Sequence, residues 1–284
     1  MTEYVFVNDF FAEELTGGAE LTSESLIDVC NHKIHKIKSI NITDSLVENL
    51  KEFVWIFGNF TQINTQILIK FIKSKIKYHI VEYDFKFCKF RSPEKHLFHE
   101  GECNCEDELN GKLISLFFSK SESIWFMSEK QRQAYLNKFS FLNKNKSYVL
   151  SSIFSQDLLE KIQNTKVDKN DEWVILQSHS WIKGTQDCVN FAKQNNIPFR
   201  LVGGISHKEM IDVLSKSKGL IFMPKGGDTC PRIVIEAHLL DCELILNDNV
   251  MHKDEEWFTG TKQQCINYLK NRSNFFWNTL NKEF

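Results

Sequence analysis

The chain has 284 residues, 42% apolar and 25% charged, with a net charge of −2. That is enough apolar material for a core and enough length for two small domains, so a disordered, collagen-like or disulfide-framework protein is excluded. Near-neutral charge supplies no global field for nucleic acid, leaving only a local patch to bind it. The 24 Phe residues against 4 Pro read as compositional bias of an AT-rich coding sequence.

In chain order, the first half predicts strands at Tyr4–Asn8, His35–Ile40, Phe53–Gly58, Tyr78–Asp84, Ser123–Ser128 and Ser147–Ser151. Helix-like segments lie between most of them. Gln66–Ser74 and, more weakly, Glu129–Phe139 place apolar residues at helical spacing. The second half predicts strands at Trp173–Gln177, Phe199–Val202, Leu220–Met223 and Glu243–Leu246, and helices at Thr185–Asn195, Ser206–Lys216 and Pro231–Leu240. Ser206 with Glu209 forms a capping-box pattern, and Pro231 opens its helix. Runs such as LIFM and ELIL are apolar throughout, as in strands covered on both faces. Alternating strands and helices predict α/β architecture: two doubly wound, Rossmann-like domains facing across a cleft. The polar segment Gln156–Glu172 reads as a helix and linker. It sets the expected boundary, with one domain over 1–160 and the other over 161–284. The tail Thr259–Phe284 reads as two helical pieces whose Phe275, Phe276 and Trp277 pack against a domain.

The N-terminus lacks a basic start and a long apolar run, and no apolar stretch is long enough to span a membrane, so a cytoplasmic location is expected. The eight cysteines are then expected as thiols rather than disulfides.

Ligands of doubly wound sheets bind beyond the carboxyl ends of the strands. The segment Gly219–Asn249 fits that place best. A strand ends at Pro224, a loop carries Gly226, Gly227, Asp228, Thr229 and Cys230, and a helix follows. Loop glycines admit close backbone approach, and a helix N-terminus favours anions. Asp228 and Glu236 are placed to accept hydrogen bonds from vicinal hydroxyls of a sugar and a ribose. The same residues also fit a plain β-loop-α unit with a capping Asp and a half-buried Glu.

Asp228-x7-Glu236-Ala237 after a strand ending in Pro224 resembles the C-terminal signature of retaining glycosyltransferases with the GT-B fold, the glycosyl transferases group 1 or family-four-like proteins. Two further segments fall in the family's order: Lys183-Gly184 opening a helix, and the turn Gly17-Gly18-Ala19-Glu20 before the first helix. The chain departs from the pattern in three ways. The first acid is Asp, Ser178 stands where an Arg is usual, and Pro231 removes an N–H from the anion cradle.

The resemblance implies a nucleoside-diphosphate sugar, UDP or GDP type, bound on the second domain with its nucleoside near Glu236. Lys183 would hold the diphosphate, helped by Ser178, His179 and the Gly226–Cys230 loop, with Arg232 replacing the missing Arg. Gly17 and Gly18 would approach the sugar and acceptor, and Asp84 or Tyr83 would contact the donor sugar. The reaction implied is transfer to a hydroxyl acceptor with retention, without a required metal or other cofactor. Glycan or lipopolysaccharide precursors are the expected acceptors. A hydroxylated base in DNA is an alternative that needs a basic cleft, and a non-catalytic sugar- or nucleotide-binding relative is a third reading.

The segment Tyr83–Glu106 interrupts the rhythm with a long loop. Its Cys88, His99, Cys103 and Cys105 are a candidate zinc set, although Cys-x-Cys is not the usual knuckle. The alternation FKFCKF predicts a half-buried strand. Otherwise Lys86, Lys89, Arg91 and Lys95, interleaved with Phe85, Phe87 and Phe90, would face a polyanionic or sugar acceptor. Glu20 is read as support for the first helix turn, Trp173 and Trp181 as core and cleft wall, and His238 as a surface or hydrogen-bonded core histidine.

Overall fold

The computed structural model describes residues 2–282. The chain divides into two compact units, Met1–Ile153 with Arg272–Phe284, and Phe154–Asn271.

The first unit runs β1 (Tyr4–Asn8), α1 (Gly18–Asp28), β2 (Ile34–Lys38), α2 (Asp44–Asn49), β3 (Val54–Phe57), α3 (Thr65–Lys73), β4 (Tyr78–Glu82), α4 (Pro93–Glu100), α5 (Leu109–Lys120), β5 (Ser123–Phe126), α6 (Glu129–Lys138) and β6 (Ser147–Val149). Its strands form a parallel sheet in the order β2-β1-β3-β4-β5-β6. The central strands are buried along their whole length, as apolar runs covered on both faces must be. Phenylalanine is the core's main building block. Phe57 meets Phe60, Phe71, Tyr78 and Phe117 edge-on, and Tyr78 stacks on Phe117 at 4.6 Å. The abundance of Phe thus has a packing role beyond codon bias.

The second unit runs α7 (Gln156–Asn164), β7 (Trp173–Leu176), α8 (Thr185–Gln194), β8 (Phe199–Val202), α9 (His207–Lys216), β9 (Gly219–Phe222), α10 (Arg232–Leu239), β10 (Glu243–Leu246) and α11 (Glu256–Thr259). Its parallel sheet has the order β10-β9-β7-β8. The predicted capping box at α9 is present, with Ser206 accepting from the Glu209 N–H and Glu209 accepting from the Ser206 N–H. Pro231 is the N-cap of α10 rather than its first residue, so its missing N–H falls where no helical bond is needed. Trp173 is core, packed with Ile175, Cys188, Val189 and Ile221.

Three expectations need correction. The division falls at 153/154 instead of 160/161, because Phe154 already packs under the Arg232 guanidinium at 4.0 Å. The tail is not two pieces inside the second domain. It is one helix, α12 (Lys262–Lys282), whose residues from Arg272 onward belong to the first unit. There Trp277 Nε1 donates to the Leu26 carbonyl at 2.9 Å, and Phe276 lies 4.8 Å from Trp125. The last two residues of the expected 259–284 tail lie outside the described residues. Finally, FKFCKF is a run of turns, not a strand. Phe85 and Phe87 are both buried, meeting Tyr135 at 5.8 and 5.4 Å, and Lys86 is buried between them. A strand would have pointed the lysine to the opposite face.

Candidate active site

In each sheet the chain reverses its direction of winding once, between β1 and β3 and between β7 and β9. The loops leaving strands at such a reversal are the usual ligand site of doubly wound sheets.

In the second unit these are the β7–α8 and β9–α10 loops. The first is shaped by Thr185, whose hydroxyl donates to the Leu176 carbonyl at 2.8 Å and accepts from the Ser178 N–H at 3.1 Å. It ends in a short 3-10 turn, Trp181–Lys183, and Gly184 at φ +61°. A Cβ on Gly184 would lie 2.1 Å from the Met223 carbonyl oxygen, so the two loops touch backbone to backbone only because this residue is glycine. The β9–α10 loop is pinned from the far side. The side-chain amides of Asn247 and Asn249 both donate to the Pro224 carbonyl at 2.8 Å. Asp228 also makes a bridge, its N–H donating to Asn249 O at 2.8 Å and its carbonyl accepting from Met251 N at 3.0 Å.

That backbone places the Asp228 carboxylate 2.6 Å from Lys183 Nζ, with side chains 12% and 29% exposed. Gly226 and Gly227 are buried beside them, as are Thr229 and Cys230. Asp228 therefore does not cap α10, and it holds an ammonium at the switch point. Glu236 is not half-buried but 2% exposed. Its Oε1 lies 2.7 Å from His207 Nε2 and 3.7 Å from Arg232 Nε. Arg232 is itself buried, with its guanidinium stacked on Phe154. Ser178, in the position expected for an Arg, accepts from the Ser180 N–H at 3.1 Å, and His179 is exposed in the same loop. Trp181 is half-buried, with Lys225 Nζ 5.9 Å from its ring. Thr185, His207, Asn247 and Asn249 were missed from the sequence. Each acts from outside the motif stretch or through a pairing that chain order does not display.

In the first unit the loops after β1 and β3 meet through Asn8, which accepts from the Asn59 N–H at 2.8 Å. Asp9 is buried and accepts from the Thr61 hydroxyl at 2.6 Å, from the Thr61 N–H at 3.0 Å and from Ser39. Burial pushes its carboxyl up, but these hydrogen bonds outweigh it and hold it below the ordinary range. Gly17 is the N-cap of α1, and a Cβ there would meet the Glu20 carboxylate at 2.3 Å. Glu20 supports this turn as expected, yet it is buried, and burial pushes its carboxyl up against the opposing pull of Arg91 and Asn59. Gly18 begins the helix.

Asp84 lies two residues beyond the end of β4 and pairs with Arg91 Nη2, the same nitrogen that donates to Asn59 Oδ1 at 2.7 Å. Tyr83 is buried, its hydroxyl 2.6 Å from Ser23 Oγ. Of the cations that the alternative reading turned toward an acceptor, Arg91 is paired as above and Lys95 Nζ lies 5.8 Å from the Phe90 ring. Lys86 is buried on Glu82 at 2.8 Å, and Lys89 Nζ is 2.5 Å from Glu100. Tyr135 completes the buried pair by donating to Glu82 Oε1 at 2.6 Å. Burial pushes the Glu82 carboxyl up, with Lys86 opposing it.

The zinc set is corrected in one member. Cys88, Cys103 and Cys105 converge, but the histidine among them is buried His96, not His99. His99 is exposed and stacks on Phe90 at 5.5 Å. His238 is half-buried, its ring 4.8 Å from Phe258, and burial lowers its pKa. Among the described residues no helix is long and apolar enough to cross a membrane.

No protein-family model and no curated protein matches the chain. Solved structures do. Anabaena Alr3699/HepE in complex with UDP and glucose is 11% identical, with 95% of this chain and 89% of that one covered and a TM-score of 0.59. A UDP-forming α,α-trehalose-phosphate synthase from Burkholderia xenovorans is 9% identical over 96% and 91%, with a TM-score of 0.54. AviGT4, a glycosyltransferase of avilamycin A biosynthesis, is 8% identical over 96% and 88%, with a TM-score of 0.52. At such identities the likeness establishes the fold alone: two Rossmann-like α/β units of the GT-B type.

Proposed function

We propose that the chain is a glycosyltransferase that takes a sugar from a nucleoside-diphosphate sugar and passes it, with retention, to a hydroxyl acceptor. The observation that carries this reading is the Lys183–Asp228 pair at the switch point of the second sheet, beside two buried loop glycines. Structural neighbours that bind UDP with glucose, or that form UDP, support it.

In this reading Lys183 exchanges part of its contact with Asp228 for the donor diphosphate. An ammonium placed beforehand neutralises the charge that develops as the anomeric C–O bond breaks, without reorganising at that moment. The Asp228 N–H is held by Asn249, so the backbone N–H groups of Gly226 and Gly227 share that task, and Asp228 keeps an oxygen for a sugar hydroxyl. Glu236, steadied by His207 and Arg232, receives the ribose hydroxyls. The acceptor oxygen bonds to the anomeric carbon on the face that the diphosphate leaves, and its proton passes to the departing phosphate oxygen. No protein nucleophile and no divalent metal enter this scheme. Asp84 and the Gly17-Gly18 turn are assigned to the donor sugar and acceptor, and a glycan or lipopolysaccharide precursor is the acceptor class.

The test is a donor screen with UDP-, GDP-, ADP- and CDP-sugars, reading thermal stabilisation and slow release of free nucleotide. One nucleotide series should stabilise the protein, and release should fall at least about 100-fold in Lys183→Ala, the scale of losing one preorganised charge partner. Glu236→Ala should weaken binding of every sugar of that series alike. No binding to any donor would replace this reading with that of a non-catalytic relative.

A further inference from the structure

The excursion between β4 and α5 has little apolar material of its own to fold around. Phe85 and Phe87 point into the sheet unit, while Leu97 and Phe98 on α4 are exposed. Four side chains converge inside it: Cys88 from the turn after β4, His96 from α4, and Cys103 and Cys105 from the loop before α5. We propose that Cys88, His96, Cys103 and Cys105 form a tetrahedral structural zinc site that ties this excursion together.

The geometry is that of a ligand cage. Zinc held at about 2.3 Å from sulfur and about 2.0 Å from nitrogen places neighbouring ligand atoms about 3.5–3.8 Å apart. Here Cys88 Sγ lies 3.8 Å from Cys103 Sγ and 3.7 Å from His96 Nδ1, and Cys105 Sγ lies 3.2 Å from that nitrogen. All four ligand atoms fall within 4.8 Å of one another. Sulfurs in a disulfide would stand at about 2.05 Å, far inside these separations.

The surroundings also fit. The second ring nitrogen of His96, Nε2, lies 3.1 Å from the Glu100 carboxylate, one helical turn along α4. A carboxylate on that nitrogen fixes its proton there and leaves Nδ1 free to ligate, the usual support of a metal-bound histidine. Cys105 is buried, and its carbonyl is met by Gly111 of α5. A Cβ on Gly111 would lie 1.9 Å from that oxygen, so the glycine admits the cysteine backbone against the helix. Three thiolates and an imidazole select zinc over the hard cations magnesium and calcium. With four protein ligands no position remains for water, so the site is structural rather than catalytic. Its consequence is local: the same excursion carries Arg91, which pairs with Asp84 and Asn59 at the end of the first sheet.

The experiment uses the full chain and does not depend on donor or acceptor. Protein purified without chelators is assayed for metal, then stripped and titrated with zinc and with cobalt. The expected result is one zinc per chain, and a cobalt form with tetrahedral d–d bands and intense thiolate-to-cobalt charge transfer. His99→Ala should keep the full stoichiometry, whereas His96→Ala and the partly exposed Cys103→Ser should reduce it at least tenfold. Chelation should lower the melting temperature of the wild type and leave that of Cys103→Ser unchanged. The proposal is overturned if the wild type takes up neither zinc nor cobalt or holds iron with acid-labile sulfide. It is equally overturned if Cys88 and Cys103 are found as a disulfide, or if His99→Ala, and not His96→Ala, loses the metal. Titration of the wild type decides the matter even if a variant fails to fold.

Discussion

The two switch points are built alike and finished differently. At the first, Asp9 is buried on Ser39 and Thr61, and at the end of β4 Lys86 forms a fully buried triad with Glu82 and Tyr135, while Arg91 with Asp84 and Asn59 is part-exposed. At the second, Lys183 and Asp228 sit on loop tips, part-exposed, each with charge capacity left for a ligand. The buried network specifies structure, because its members cannot change partner without stranding a charge. The open pair can exchange one partner for another at small cost, which a site that binds and releases an anion requires.

The largest effect is expected where the network is closed. Glu82→Ala should cost about 3–5 kcal/mol, because it leaves the Lys86 ammonium buried without its carboxylate. Glu82→Leu with Lys86→Met should recover most of that loss in urea unfolding. An equal cost in the double variant would mean that packing, not charge, is what Glu82 contributes. Gly184→Ala comes next, at about 1–3 kcal/mol, since a side chain there is strained at positive φ and collides with the Met223 carbonyl. Hydrogen exchange should locate this loss in the second unit alone. Loosening of the first unit as well would mean that Gly184 acts beyond its own unit.

A pH titration distinguishes the units more gently. Each has a fully buried imidazole, His79 in the first and His252 in the second, whose pKa burial lowers to about 3. Free histidine titrates near pH 6.5. The folded-state pKa is therefore depressed, and the stability from keeping each ring neutral is complete above about pH 6.5. It is lost as pH falls toward about 3, at about 1.4 kcal/mol per pH unit for each histidine. His79→Gln should flatten this slope for the first unit only, as read by exchange at pH 7, 6 and 5. The smallest stability effect belongs to Lys183→Ala, about 1 kcal/mol or less for a part-exposed pair. Its donor binding should nonetheless collapse, and that dissociation of stability from binding is the sharpest form of the comparison.

What the sequence displayed follows the same division. Tyr4–Asn8, Phe199–Val202 and Glu243–Leu246 all end where their patterns end, but only the first is buried along its length: Arg200 and Leu201 are exposed, and ELIL, expected to be covered on both faces, has an exposed Glu243 followed by half-buried residues. Asp228 stood out because loop glycines and a strand-end proline punctuate the chain, whereas Lys183-Gly184 was read through the resemblance to GT-B glycosyltransferases. The FKFCKF segment misled because alternation is also compatible with successive turns whose polar member is buried on a partner four residues back. His96 and His99 differ only in which face of a single-capped helix they occupy, and the choice is made by Cys105 and Glu100, which no local pattern reveals. His207 reaches Glu236 across the space between two helices, a contact that tertiary packing alone creates.

The helix α12 also sets an order of events during synthesis. The second unit is one uninterrupted stretch, 154–271, and all of it leaves the ribosome before the first unit has its last piece. Until residues 272–282 emerge, Trp125 and Leu26 lack the aromatic cover that Phe276 and Trp277 supply, and the Leu150 carbonyl lacks Arg272. The unit translated first is therefore the unit finished last. A chain that has released residues 154–271 but not 272–282 would carry a completed second unit and a first unit with open apolar surface, the kind of surface that chaperones hold and proteases find.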